Sequence, residues 1–175
     1  PLPAAICHGC HNVNLNMPTR MSYGPNIPLS TNIIDLASPG TVISSMNGDY
    51  GALNNDGTRI VVGGMFGGLT LHNALTGASL GAVSTPSGSS CLPTWSPDGS
   101  TLVYSSCSGT ASTLEAANCD LYKQTWNGTS FGNETLLAAS PSGTTYYYAT
   151  FSPDSQWIAF NKATETATAD GTTWS

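Results

Sequence analysis

Hydrophobic positions in this chain come in short runs separated by turn residues, never at sustained helical spacing. The clearest runs are Arg59-Ile-Val-Val-Gly63, Thr101-Leu-Val-Tyr-Ser105 and Gln156-Trp-Ile-Ala-Phe160. Each follows a turn signal: Asn55-Asp-Gly57, Pro97-Asp-Gly99 and Pro153-Asp-Ser155. Short apolar runs bounded by such turns predict strands joined as hairpins. No segment places apolar residues at i, i+3, i+4 and i+7, so the chain is predicted to be all-β. Residues 1–40 read differently. Pro1, Pro3, Pro18, Pro25, Pro28 and Pro39 fall there among Asn and Gly, which disfavours a long helix or a central strand. That stretch is expected to be an irregular N-terminal arm.

Lining up the turns exposes a repeat. Its copies are Asp49-Tyr-Gly-Ala-Leu-Asn-Asn-Asp-Gly-Thr-Arg-Ile-Val-Val62, Pro93-Thr-Trp-Ser-Pro-Asp-Gly-Ser-Thr-Leu-Val-Tyr104 and Ala149-Thr-Phe-Ser-Pro-Asp-Ser-Gln-Trp-Ile-Ala-Phe160. The turn aspartates Asp56, Asp98 and Asp154 are spaced by 98 − 56 = 42 and 154 − 98 = 56 residues. That is the scale of a four-stranded propeller blade with some inserted loop. The stretches Thr94–Tyr104 and Thr150–Phe160 resemble the WD40-like repeat of TolB-type β-propellers, and the resemblance covers about residues 45–162. It implies that the aromatic at Trp95 or Phe151 ends strand A and that Ser-Pro-Asp-Gly turns into strand B. Strands C and D would then be Asn118–Gly128 and Glu134–Ala138, and, one blade earlier, Leu69–Asn73 and Ser79–Val83. Asn54-Asn-Asp56 lacks the Ser-Pro, and Ser155 stands where the turn glycine belongs.

The expected architecture is therefore a partial β-propeller over 41–175, with two full blades and the start of a third, preceded by the arm over 1–40. Propellers close with about four to eight blades, and an open one exposes strand edges. The remaining blades are expected from sequence outside this chain or from neighbouring chains.

The arm carries the chemistry. Ile6-Cys7-His8-Gly9-Cys10-His11 contains Cys-x-x-Cys-His, the c-type haem attachment pattern. Chance would place it in a chain of this composition about 0.002 times. Cys7 and Cys10 would form thioethers to the two vinyl groups of one haem c, and His11 would be the proximal iron ligand. Two other readings stand beside it. Cys7 and Cys10 could form a redox disulfide, although no strand-to-helix junction of the thioredoxin kind is predicted here. A zinc site could use His8 or His11, but ligands so close in sequence cannot close a tetrahedron, and no second pair follows at finger spacing.

The sixth ligand decides between electron transfer and open-site chemistry. Met17, followed by Pro18, and Met21 are candidates, and so is His72, the one histidine outside the motif. A hydrogen-bonded strand residue is the plainer reading of His72. His8 is expected to face solvent. Met46 and Met65 read as gap fillers. Asp56, Asp98 and Asp154 occupy one repeat position, where an Asp bonds backbone amides in a tight turn; they read as structure rather than as a catalytic or calcium site. No Gly-x-Ser-x-Gly elbow, phosphate loop or metalloprotease helix is present, and no residue is assigned a catalytic role. An electron carrier fits better than a catalyst.

Composition narrows the partners. Only 8% of the 175 residues are charged and the net charge is −6, which disfavours nucleic acid and anionic membranes, since both reward a basic face. No apolar run reaches the length of about 18 that a spanning helix needs. A redox protein or further copies of the chain are the expected partners. The chain opens on Pro1 without a leader pattern and reads as a processed or partial polypeptide. Five cysteines suit an oxidising compartment, hence a periplasmic or extracellular location. With Cys7 and Cys10 on haem, one pair among Cys91, Cys107 and Cys119 is expected to bridge; Cys107–Cys119 and Cys91–Cys107 both remain open. Asn127-Gly-Thr129 and Asn133-Glu-Thr135 match the glycosylation sequon.

Overall fold

The computed structural model describes residues 8–14, 19–25, 30–38, 41–48, 50–64, 68–86, 89–109, 115–164 and 167–168. They form antiparallel sheets. The first is a meander of β1 (His8–Val13), β2 (Arg20–Pro25), β3 (Ser30–Asp35) and β4 (Val42–Asn47). The second is a meander of β5 (Tyr50–Leu53), β6 (Arg59–Gly63), β7 (Leu69–Asn73) and β8 (Ser79–Val83). The third contains β9 (Ser90–Trp95) and β10 (Thr101–Cys107), then, after the short β11 (Glu115–Ala116), β12 (Cys119–Thr125) and β13 (Thr135–Ala138). β14 (Thr145–Phe151) pairs with β15 (Ile158–Ala163), and β16 (Ala167–Thr168) pairs with β11.

The chain is thus all-β, and the strands expected from the repeat are present. One expectation fails. Residues 1–40 are not an irregular arm where they are described: β1, β2 and β3 lie there, and β4 completes the sheet across the expected boundary. The prolines do not forbid these strands, because they punctuate them. Pro25 ends β2, while Pro18, Pro28 and Pro39 lie outside the described residues. Between those breaks Ile33 and Ile34 are fully buried, so this sheet has its own apolar anchor.

Alternation explains the packing of sheet on sheet. Ile60 and Val62 of β6 join Ile33, Met46 and Leu53 in the layer between the first two sheets. Val61, on the opposite face, joins Trp95, Leu102 and Tyr104 in the next layer. Val103 then faces a third layer with Leu121 and Ala149. A strand buried on both faces needs an unbroken apolar run, which is why Ile60-Val-Val62 and Leu102-Val-Tyr104 read as they do. The first strands of successive sheets touch: β1 lies against β5, β5 against β9 and β9 against β14. Each sheet therefore presents its opening strand to a common inner side, the arrangement of propeller blades.

Candidate functional site

β1, the innermost strand of the first sheet, carries His8–His11 of the cysteine–histidine motif. Its register with β2 runs His8 to Pro25, Gly9 to Gly24, then His11 to Tyr23. Cys10 is the extra residue of a bulge, a device that re-aims side chains near functional sites. For Cys10 and His11 the structure describes the backbone path. Cys7 and Met17 lie outside the described residues. Immediately after the motif the chain is pinned. Asn12 Oδ1 accepts a hydrogen bond from the Leu53 amide at 2.9 Å, and Ser22 Oγ donates to the Gly51 carbonyl at 3.0 Å. The first bond ties β1 to β5 and the second ties β2 to β5.

The four inner strands share a register set by the residue that closes each one. Asn14 Oδ1 accepts from the Arg20 amide at 2.9 Å, and Asn54 Oδ1 from the Arg59 amide at 3.0 Å. Ser96 Oγ accepts from the Thr101 amide at 2.9 Å, and Ser152 Oγ from the Trp157 amide at 2.9 Å. In every case a short polar side chain satisfies an N–H at or just before the start of the returning strand. Four residues before these closers stand Cys10, Tyr50, Leu92 and Tyr148. The β9 and β14 strands also bulge at this level, and Leu92 and Tyr148 have φ of 53° and 48°. Leu92 belongs to a buried cluster with Cys91, Cys107, Cys119 and Tyr147, against which Tyr50 and Tyr148 pack. Sequence reasoning missed this level. The constant spacing of four from the closing Asn or Ser was the available signal.

The distal-ligand candidates separate. Met21 is partly buried on β2, paired with Val13 and Ile34, on the strand beside the motif. His72 is on β7, two strands outward from β5 and level with Ile60. Its Nδ1 lies 3.1 Å from the Gly77 carbonyl. The structure does not bring His72 to the motif. Met46 is core, 5% exposed, and Met65 lies outside the described residues.

The turn aspartates hold their own turns. Asp98 Oδ1 accepts from Ser96 Oγ at 2.5 Å, Ser100 N at 2.9 Å and Ser100 Oγ at 2.8 Å. The Ser96 hydroxyl and the Ser100 amide keep its carboxyl below the usual carboxylate range. At Asp56 burial opposes ionisation, but the hydroxyl and amide of Thr58, aided by Asn54 and Arg59, outweigh it. Asp154, on the surface, is lowered by Ser152 and Gln156. Among the described residues no three His, Cys, Asp or Glu side chains gather as a metal site.

Cys107 and Cys119, opposite each other on β10 and β12, form the disulfide. They are buried, not on a surface loop. Among the described residues Cys91 is a free thiol, and burial pushes it up to about 12, so it stays protonated and unreactive at neutral pH. The residues that could hold a cofactor are thus Cys7, Cys10 and His11. Two thiols and an imidazole at this spacing are the residue types that covalent haem attachment uses.

No protein-family model and no curated protein sequence matches the chain. Solved structures do. Hydrazine synthase of Kuenenia stuttgartiensis aligns with a TM-score of 0.61 at 14% identity, covering 91% of this chain and 44% of that one. TolB from Acinetobacter baumannii aligns with a TM-score of 0.61 at 18% identity, covering 86% of this chain and 36% of that one. The likeness shows a TolB-like propeller fold, and this chain spans less than half the length of either protein.

Proposed function

We propose that this chain is an extracytoplasmic c-type cytochrome that moves single electrons through one haem c displayed on a propeller scaffold. The observation that carries the reading is the sequence Cys7-His8-Gly9-Cys10-His11, of which His8–His11 run in β1 with Cys10 as the extra residue of a bulge. Cys7 and Cys10 would tether the group and His11 would ligate it, with Met17 or Met21 as the distal candidate. When bound, the haem supplies reversible one-electron chemistry. The protein's part would be to hold it: Asn12 of β1 and Ser22 of β2 both bond β5, which supports an anchored strand at His11. The buried disulfide favours an oxidising compartment. Oxidised and dithionite-reduced visible spectra, with a pyridine haemochrome, test the reading. A sharp reduced α-band is expected; colourless protein from a host competent in cytochrome c maturation would overturn it.

A second reading, a self-assembling or protein-binding propeller module, has its own support. Among the described residues β15 pairs on one side only, with β14, and Trp157 and Phe160 nearby are 75% and 40% exposed. A strand edge flanked by apolar side chains invites pairing with another chain. Light scattering under non-reducing conditions checks it. A monomer at every concentration would remove the self-assembly form.

A further inference from the structure

A groove of about 280 Å³ separates β8 from the hairpin that joins β12 to β13. Leu80 to Ser84 form one wall, and Trp126 with Thr129 to Gly132 forms the other. Trp126 and Phe131 pair across the hairpin with ring centroids 4.7 Å apart. Both rest on buried Trp95, at 5.9 Å and 5.5 Å, and stay partly exposed. Gln124, only 1% exposed, lines the groove between the walls. Its Nε2 donates to the Ser84 carbonyl at 3.0 Å and to the Gly132 carbonyl at 3.3 Å, one in each wall. Both amide hydrogens are used there, and Oε1 is buried with no hydrogen-bond partner. We propose that the groove binds a neutral sugar, its ring laid on Trp126 and Phe131 and one hydroxyl donating to Gln124 Oε1.

The chemistry of the lining selects that class of ligand. A buried acceptor without a donor is costly, and in a native protein it calls for a partner from outside the chain. A ligand that brings an O–H is therefore favoured over a purely apolar one. The faces of a sugar ring are C–H groups, which pack on aromatic rings, while its hydroxyls point to the sides. No charged side chain lines the groove, and the chain has a net charge of −6, so a neutral ligand suits it better than an anion. The hairpin wall is also set in advance. Asn127 Oδ1 accepts from the amides of Thr129 and Ser130 at 2.9 Å each. Asn127 Nδ2 donates to Ser130 Oγ at 3.1 Å, which leaves the Ser130 hydroxyl a hydrogen to donate. Aromatic walls with a few converging polar groups are the usual form of a small-molecule site. The proposal stands apart from the haem reading and does not depend on it.

The test uses the full chain, secreted so that its disulfide forms, and saturation-transfer-difference NMR, which reads the ligand whether or not haem is attached. The probes are the methyl glycosides of glucose, galactose, mannose and N-acetylglucosamine, with glucuronate and indole as charged and apolar comparisons. At least one glycoside is expected to bind saturably, with transfer strongest at its ring C–H protons, and glucuronate is expected to bind more weakly. Trp126→Ala and Gln124→Met should each weaken that binding about tenfold or more, the loss expected for truncating a central contact. Trp126→Phe should retain most of it, and Trp157→Ala, elsewhere on the surface, should match the parent. Should Gln124→Met fail to fold, Trp126→Ala and Phe131→Ala decide the matter. Absence of saturable binding by every glycoside would overturn the proposal. So would a Trp126→Ala variant that binds as the parent does, or a groove that takes indole and no glycoside.

Discussion

At the scale of single residues, short polar side chains do most of the organising. Asp98 accepts three hydrogen bonds within its own turn, which is why a sequence position that might suggest catalysis is structural. Its carboxyl is depressed when folded, so the unfolded chain binds the proton more readily. The contribution is therefore complete above the unfolded pKa of about 3.9 and lost as pH falls through the lower folded value. Asp98→Asn is expected to make the fall in stability below about pH 4 shallower; acid titration followed by tryptophan fluorescence reads the slope, and an unchanged slope would contradict the assignment. The cysteines give a second residue-scale prediction. Of five cysteines, two would be thioethers, two are in the disulfide and Cys91 is buried. Alkylation of native protein should modify none of Cys91, Cys107 and Cys119. After reduction in denaturant it should modify those three and spare Cys7 and Cys10.

Strands and sheets show where the sequence was legible. β6, β10 and β15 were visible because a turn signal precedes each apolar run, and an Asp-Gly turn has few other uses. The Ser-Pro-Asp turns gave the repeat, and with it the order of strands within two blades. The first sheet was hidden for a physical reason. Its Asn14 performs the closing bond that Ser96 and Ser152 perform elsewhere, but no Asp-Gly follows it, and its prolines suggested continuous irregularity. Pairing partners also override weak local pattern, as Ile33 and Ile34 are both buried although they are adjacent. Ile33→Ala should cost about 2–5 kcal/mol in a denaturant titration, the range for a buried aliphatic truncated to alanine. A loss near zero would mean that the first sheet does not pack as described. Gly99, with φ of 74° in the turn between β9 and β10, marks another such dependence. A Cβ there would run into the Asn55 side chain of the preceding blade, so Gly99→Ala is expected to destabilise by about 1–2 kcal/mol through strain and displacement.

The whole molecule joins these scales through its inner strands. Propeller architecture places the opening strand of each sheet side by side, so residues far apart in sequence meet at one level. Tyr50, Leu92 and Tyr148, from three different sheets, come together in one cluster in this way. The candidate site was half legible: the attachment motif stood in the sequence, while its setting on a bulged inner strand did not. His72 looked eligible as a ligand by residue type alone, and the fold places it two strands outward with Nδ1 at the Gly77 carbonyl. The central claim is that Cys7 and Cys10 hold a haem covalently. Arg20 is the first Lys or Arg after the motif and none lies within it, so trypsin releases Cys7, Cys10 and His11 together in one peptide that ends at Arg20. Mass spectrometry of that peptide from natively matured protein should show it heavier by one haem, with both cysteines resistant to alkylation. An unmodified peptide, or one lighter only by the two hydrogens of a Cys7–Cys10 disulfide, would contradict the account.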